Sequence, residues 1–317
     1  MNIQIIGLSY GDEGKARVAA WYQEKYNLDW SARFNGSNNA GHTVYDNNKK
    51  QYKLHCVPVG AVFNKKCAID TGVVLNLQKL KEELGTFDHK VDLYISENVH
   101  IVSPAHLEAD KDGSGLGTTK SGVMYAYADR ALRRGVRITQ ELLDEAGIKA
   151  TIYRGLIPAK NNEGILFEGA QGLLLDQDYG DYPYVTSSTV VPSGFYRSGT
   201  RVGVMKAYTT RVGDGPPYYP DLENVRNLGG EFGTTTGRPR RCTWNDVDQI
   251  QYTIDVAQPD EIVVTKLDVL KDVEISVYKN GEEYTIGSLD SYKDFLFSTF
   301  KQIKWYSEAP YGELIEV

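Results

Sequence analysis

Cysteine is scarce in this chain: three among 317 residues, Cys56, Cys67 and Cys242. Three scattered thiols build neither a disulfide framework nor a zinc site, and a reducing compartment suits them. Long apolar runs are missing too. Nothing reaches the roughly 18 consecutive apolar residues of a membrane helix. Met1-Asn2-Ile3 lacks the basic segment and cleavage pattern of a signal peptide. A cytoplasmic protein with no membrane partner is expected. Positive charge is not in excess: 35 Lys and Arg face 42 Asp and Glu, a net charge of −7. That balance excludes a general nucleic-acid binder. Repeats, low-complexity tracts and linkers are absent, so one domain over residues 1–317 is expected. The 41% hydrophobic content can fill a sizeable core.

What is present alternates. Short β-branched runs recur at Ile3–Leu8, Ala68–Leu75, Val91–Ser96, Gly164–Phe167, Val202–Tyr208 and Glu261–Lys266. Helix-like stretches intervene at Leu77–Leu84, Thr139–Ala146 and Asp246–Val256, the last opened by Asp246 as N-cap. The alternation predicts an α/β fold with a mostly parallel central sheet flanked by helices. Gly180–Arg201 and Asp214–Gly233 read as long loops, which are usually functional in compact domains. Arginines cluster at Arg133-Arg134-Arg137 and Arg238-Arg240-Arg241, a pattern suited to small anions.

Directly after the first apolar run stands Gly11-Asp12-Glu13-Gly14-Lys15. Glycines let backbone N–H groups approach phosphate oxygens at a helix N-terminus, and Lys15 adds a point charge. The loop is P-loop-like but not a Walker A loop: Ser9 stands where its first glycine belongs, and Ala16 follows the lysine. An acid inside a phosphate loop repels the ligand unless a metal or proton donor offsets it. Asp12 therefore has a task beyond cradling phosphate, or else caps the next helix.

Further blocks follow in order. Arg33-Phe34-Asn35-Gly36-Ser37-Asn38-Asn39-Ala40-Gly41-His42-Thr43 is dense in amides and glycine. Leu116-Gly117-Thr118-Thr119, Asp129-Arg130-Ala131-Leu132-Arg133-Arg134-Gly135, and Phe167-Glu168-Gly169-Ala170-Gln171-Gly172 come next. Then stand Tyr182-Pro183-Tyr184-Val185-Thr186-Ser187-Ser188, Thr210-Arg211-Val212-Gly213, Thr235-Thr236-Gly237-Arg238 and Thr265-Lys266-Leu267-Asp268. Together these resemble the adenylosuccinate synthetase family along almost the whole chain.

The resemblance implies a P-loop-NTPase-like fold with long functional loops. It implies a magnesium-dependent ligase that joins IMP and L-aspartate at the expense of GTP through a 6-phosphoryl intermediate. Asp12, His42, Lys15 and Gln171 match catalytic residues, and Asp12 and the Gly41 carbonyl match the Mg2+ ligands. Asn39, Thr119, Arg133, Gln171, Thr186 and Arg238 match the nucleoside-monophosphate site. Arg133 matches an arginine that reaches the partner subunit's site, which implies a homodimer with shared sites. Thr235, Thr236, Arg238 and Arg240 match the aspartate site. Gly11, Glu13, Gly14, Lys15, Ala16, Gly41, Thr43, Lys266 and Asp268 match the GTP site, with Lys266 and Asp268 reading the base and Ser307-Glu308-Ala309-Pro310 as a late base-contacting turn.

The chain departs from the family pattern at Ala16, Ser121 and Pro239, and it is shorter than bacterial members after Arg137 and after Asp268. Compact forms of this kind occur in archaeal and viral members. Two alternatives stay open. One is a viral relative acting on GMP or dGMP with ATP or GTP, in a host cytoplasm. The other is a nucleotide-binding switch without ligase activity.

Overall fold

The computed structural model describes residues 1–111, 118–191, 199–216, 218–233 and 237–317. Ten strands form one sheet. In spatial order they are Ile315–Glu316, Ile303–Tyr306, Glu261–Thr265, Thr200–Lys206, Asn2–Gly7, Ile165–Glu168, Trp30–Arg33, Lys66–Ile69, Leu93–Ser96 and Thr151–Tyr153. Every pairing is parallel except that of the short last strand with Ile303–Tyr306. Parallel strands are covered on both faces and read as continuous apolar runs, as Ile3, Ile5 and Ile6 do.

Side chains alternate between two cores, as a strand's period of two requires. Ile3, Ile5, Val202, Val204 and Val263 pack with Val18, Ala19 and Tyr22 of the first helix, Lys15–Lys25. Met205, Ile262 and Val264 face the other way, against Trp244, Ile254, Leu296 and Phe300. Asp246 caps helix Val247–Ala257 by accepting from the Asp248 and Gln249 N–H groups, and Thr139 caps Gln140–Ala146.

Two expected elements differ. The run Ala68–Leu75 breaks into strands Lys66–Ile69 and Val74–Leu75. Gly72 sits in the break because a Cβ there would meet the Phe34 carbonyl at 1.8 Å. The expected loop Asp214–Gly233 contains helix Glu223–Gly229, which buries only Val225 and so has no amphipathic signature. Gly180–Arg201 is loop through its described part until Thr200, which opens a strand. Trp30–Arg33 and Ile303–Tyr306 are strands too short for periodicity to reveal. No helix among the described residues is long and apolar enough to cross a membrane.

Because the strands are parallel, the segments that follow Thr265, Lys206, Gly7, Glu168 and Arg33 all leave the same edge of the sheet, from five adjacent strands. Ligands of open α/β sheets bind beyond these carboxyl ends.

Candidate active site

The glycine-rich loop is held from within. The Glu13 carboxylate is 0% exposed. Its Oε1 accepts from the Ser9 and Gly11 N–H groups at 3.1 and 2.9 Å, and its Oε2 takes the Lys15 ammonium at 2.5 Å. The carboxylate thus closes the loop around itself, so the acid that would repel a phosphate faces inward and is neutralised. Gly7 is required because a Cβ there would lie 2.6 Å from this carboxylate. The Thr265 hydroxyl donates to the Glu13 carbonyl at 2.6 Å, tying the loop to the next strand but one. Gly14 opens the helix at φ 85 without a side-chain cap. Asp12 therefore does not cap; it stands at φ 58, half-buried, with Arg240 on its Oδ2. This brings the expected aspartate-site arginine against the expected base.

Asp12, Arg133, Gln171 and Lys266 all have positive φ, although none is glycine. Such backbone conformations cost about 1–3 kcal/mol per residue; Asn27, Lys49, Asn64, Lys120, Gln258 and Asn280 share them, so positive φ alone does not mark the site.

His42 is buried at the start of hairpin His42–Tyr45/Gln51–Leu54, which packs on the first helix. Arg33 Nη1 lies 3.0 Å from its Nδ1 and 3.3 Å from its Nε2. A guanidinium can only donate. Lying almost equally near both ring nitrogens, the guanidinium sits over the ring face rather than on one in-plane lone pair, so it holds the imidazole without selecting a tautomer. Burial first, then the positive charges of Arg33 and Lys15, push the imidazole pKa well below its ordinary value. Glu168 Oε2 lies 3.4 Å from the same Nδ1. With the ring neutral this is not an ion pair; burial raises the Glu168 carboxyl while the Arg33 guanidinium opposes that rise. Ser31 and the Val59 N–H hold the other oxygen at 2.7 and 2.6 Å. Arg33 and Glu168 had no role in the sequence reading. For Glu168 a signal was available, a charge ending an otherwise apolar strand; Arg33 ends the mixed strand Trp30-Ser31-Ala32-Arg33 and had none.

Asn35 joins two loops. Its Oδ1 accepts from the Ala170 N–H at 2.8 Å, and its amide donates to the Thr189 carbonyl at 2.9 Å. This sets Gln171, whose Oε1 accepts from the Ser188 hydroxyl at 3.4 Å. Thr186 is half-buried and bonded through its N–H to the Leu175 carbonyl. Asn39 keeps a buried Oδ1 with no partner. With Thr119, Lys120 and Ser121 it lines a cavity of about 780 Å³.

Gly11 and Ala16 are buried in the loop and its helix; Gly41 is exposed, and Thr43 is half-buried. Arg238 is exposed, and its carbonyl accepts from the Gly233 N–H at 2.8 Å. Thr235 and Thr236 lie outside the described residues. Arg133 is exposed just beyond helix Val123–Ala131.

At the far end, Lys266 donates to the Gly229 carbonyl at 2.8 Å. Asp268 lies in a short turn that Lys266 opens without a side-chain cap, so its carboxylate does not cap either. Asp268 Oδ1 and the Ser307 hydroxyl are buried without partners, as are Nε and Nη1 of Arg17. Ser307 sits beside this turn, taking the Leu267 N–H on its carbonyl at 3.2 Å. Unpaired buried polar atoms are costly and rare. Asp268 and Ser307 follow two neighbouring strands, Glu261–Thr265 and Ile303–Tyr306, and Arg17 belongs to the first helix.

The chain matches the profile of the adenylosuccinate synthetase family over residues 4–157 and 158–287. The adenylosuccinate synthetase of Desulfitobacterium hafniense is 38% identical over 342 aligned positions, which span 86% of this chain and 79% of that protein. That of Thermotoga maritima is 37% identical, spanning 86% and 82%. The fully ligated adenylosuccinate synthetase from Plasmodium falciparum superposes with a TM-score of 0.83 at 26% identity, covering 98% of this chain and 97% of that one. Cyanophage S-2L succinoaminodeoxyadenylate synthetase shares the fold, with a TM-score of 0.82 at 21% identity and coverage of 99% and 95%. The chain belongs to the adenylosuccinate synthetase family of C–N bond-forming ligases.

Proposed function

We propose that the protein makes adenylosuccinate from IMP, L-aspartate and GTP. The observation that carries this reading is the Asp12–Arg240 contact at the mouth of the phosphate loop. A carboxylate lying against an arginine supports the reading, in which the carboxylate takes the purine N1 proton and the arginine holds a substrate carboxylate. Asp12 accepts the N1 proton while the 6-oxygen attacks the γ-phosphorus of GTP, and GDP leaves with the bond to its β-phosphate oxygen broken. The amine of aspartate then attacks C6, loses a proton, and inorganic phosphate departs. Lys15 and the loop N–H groups hold phosphate oxygens. Neutral His42 donates its ring N–H to the charge that builds on the transferred group. Gln171, Asn39, Thr119, Thr186 and Arg238 hold the monophosphate; Thr235, Thr236, Arg238 and Arg240 hold aspartate.

Magnesium fits this donor set. Asp12 offers a carboxylate and Gly41 a carbonyl. Among the described residues no group of three or more His, Cys, Asp or Glu could cage an ion. Mg2+ commonly takes one or two carboxylates and completes its shell with phosphates and water. When bound, it would neutralise phosphate charge.

GTP is preferred to ATP on this reading, because Asp268 accepts from guanine N1–H and the 2-amino group. Incubation with each pairing of IMP, GMP or dGMP with GTP or ATP, plus aspartate, should give product chiefly from IMP and GTP. Product only from GMP or dGMP would select the viral-type reaction, and nucleotide binding without any product would select the switch. Asp268→Asn should erode the GTP-over-ATP ratio in kcat/KM, since an unpaired buried group rejects the wrong base. An unchanged ratio would make this strand end merely structural.

The active form is a two-fold dimer that exchanges Arg133 between sites. Arg133 is exposed, and Leu132 and Val136 near it in the chain are 60% and 58% exposed, which leaves room for a partner subunit to cover them. Arg133→Leu should raise the KM for the monophosphate and leave that for GTP nearly unchanged. Mixing it with Asp12→Asn should restore activity, because one site of the mixed dimer is intact. A fully active monomer would refute this.

A further inference from the structure

His42 stands opposite Leu54 in its hairpin, so the next residue along, His55, lies beside the turn that carries Asn39, Ala40 and Gly41. The His55 ring reaches that turn: Nδ1 is 2.8 Å from the Ala40 carbonyl oxygen. A carbonyl only accepts, so Nδ1 carries a proton and donates. His55 is itself held. The buried Glu83 carboxylate takes the N–H groups of His55, Cys56 and Val57 at 2.8, 2.9 and 3.0 Å. Glu83 belongs to helix Leu77–Leu84, which Asn76 caps. A continuous tether therefore runs from that helix through Glu83 and the chain at 55–57 to the Ala40 carbonyl.

The tether has a chemical consequence. A trans peptide is planar, with its C=O and N–H directed oppositely. Holding the Ala40 carbonyl toward His55 fixes the Gly41 N–H to point the other way, and fixes the chain direction from which His42 departs. His55 also borders the cavity shared by Asn39 and Thr119. Nothing in the sequence patterns marked it.

We propose that His55 is a positioning residue that locks the Ala40–Gly41 peptide plane and thereby the placement of His42 for phosphoryl transfer. The proposal rests on the ligase reading. It does not need His55 to touch a substrate.

Three variants test it. An asparagine carries its amide nitrogen where histidine carries Nδ1, whereas a glutamine carries its own near Nε2. His55→Ala should lower kcat about a hundredfold, the scale of an ångström-sized misplacement of reacting groups, with KM for GTP little changed. His55→Asn should recover to within about fivefold of the wild type, less than one decade of rate, and His55→Gln should not. Amide hydrogen exchange at residues 40–43 of the free protein should quicken in the Ala and Gln variants and not in Asn. If His55→Ala fails to fold, the Asn and Gln pair carries the test alone. Gln matching Asn in rate and exchange, or Ala matching the wild type, would overturn the proposal. If the wild type makes no product yet the exchange pattern holds, the ligase reading fails and the tether stands. If the wild type turns over and exchange is unaltered in all three variants, the tether fails alone.

Discussion

Asp12→Asn should abolish most turnover and leave the fold and nucleotide binding in place. The amide still accepts a hydrogen bond from Arg240 but cannot take up the N1 proton. Loss of a general base alone removes roughly 10²–10⁴ in rate, and a poorer magnesium ligand adds to that. Folding stability should shift by no more than about 1 kcal/mol, because the Asp12–Arg240 pair is partly solvent-exposed and such pairs contribute little. The measurement is kcat beside calorimetric affinity for IMP and GTP. A variant within about tenfold of wild-type turnover, one decade on the 1.4 kcal/mol scale, would remove Asp12 from the chemistry.

Glu13→Ala should do the opposite: it damages the fold first and the activity through it. Among the described residues its carboxylate is the one ion-pair partner of buried Lys15, and it satisfies two loop N–H groups. Removing one member of a buried ion pair typically costs about 3–5 kcal/mol, because the survivor is left charged and dry. Urea unfolding should show a loss of that size with an unchanged slope. A change under about 1 kcal/mol would mean that Lys15 finds another partner and that Glu13 does not organise the loop. The double variant Glu13→Gln/Lys15→Met, which removes both charges, should recover part of the lost stability and none of the activity.

These two acids show what the sequence could and could not say. Adjacent in the chain, Asp12 and Glu13 look alike as text. The positive φ at residue 12 turns one carboxylate out to Arg240, and the other folds under the loop against Lys15. No periodicity records that choice. The strands that carry the loops were legible because buried parallel strands are apolar throughout. The first strand and Glu261–Thr265 were read within a residue or so at each end. Trp30–Arg33 was not, because four residues ending in an arginine carry no pattern. The same arginine was passed over as chemistry because its importance lies in reaching His42, nine residues on, a contact only the fold creates. His55 was missed for a related reason: its partner is a backbone carbonyl, which has no letter in the sequence.

The central claim is that the 6-oxygen of the purine leaves as phosphate, and one labelling measurement tests it directly. IMP carrying ¹⁸O at position 6 should be converted with GTP and aspartate, and the inorganic phosphate analysed by mass spectrometry. The account predicts one ¹⁸O in each phosphate released and none at C6 of the product, whose new bond is to nitrogen. Unlabelled phosphate, with the label retained on the nucleotide, would mean that GTP is hydrolysed without phosphorylating the purine and would contradict the ligase mechanism.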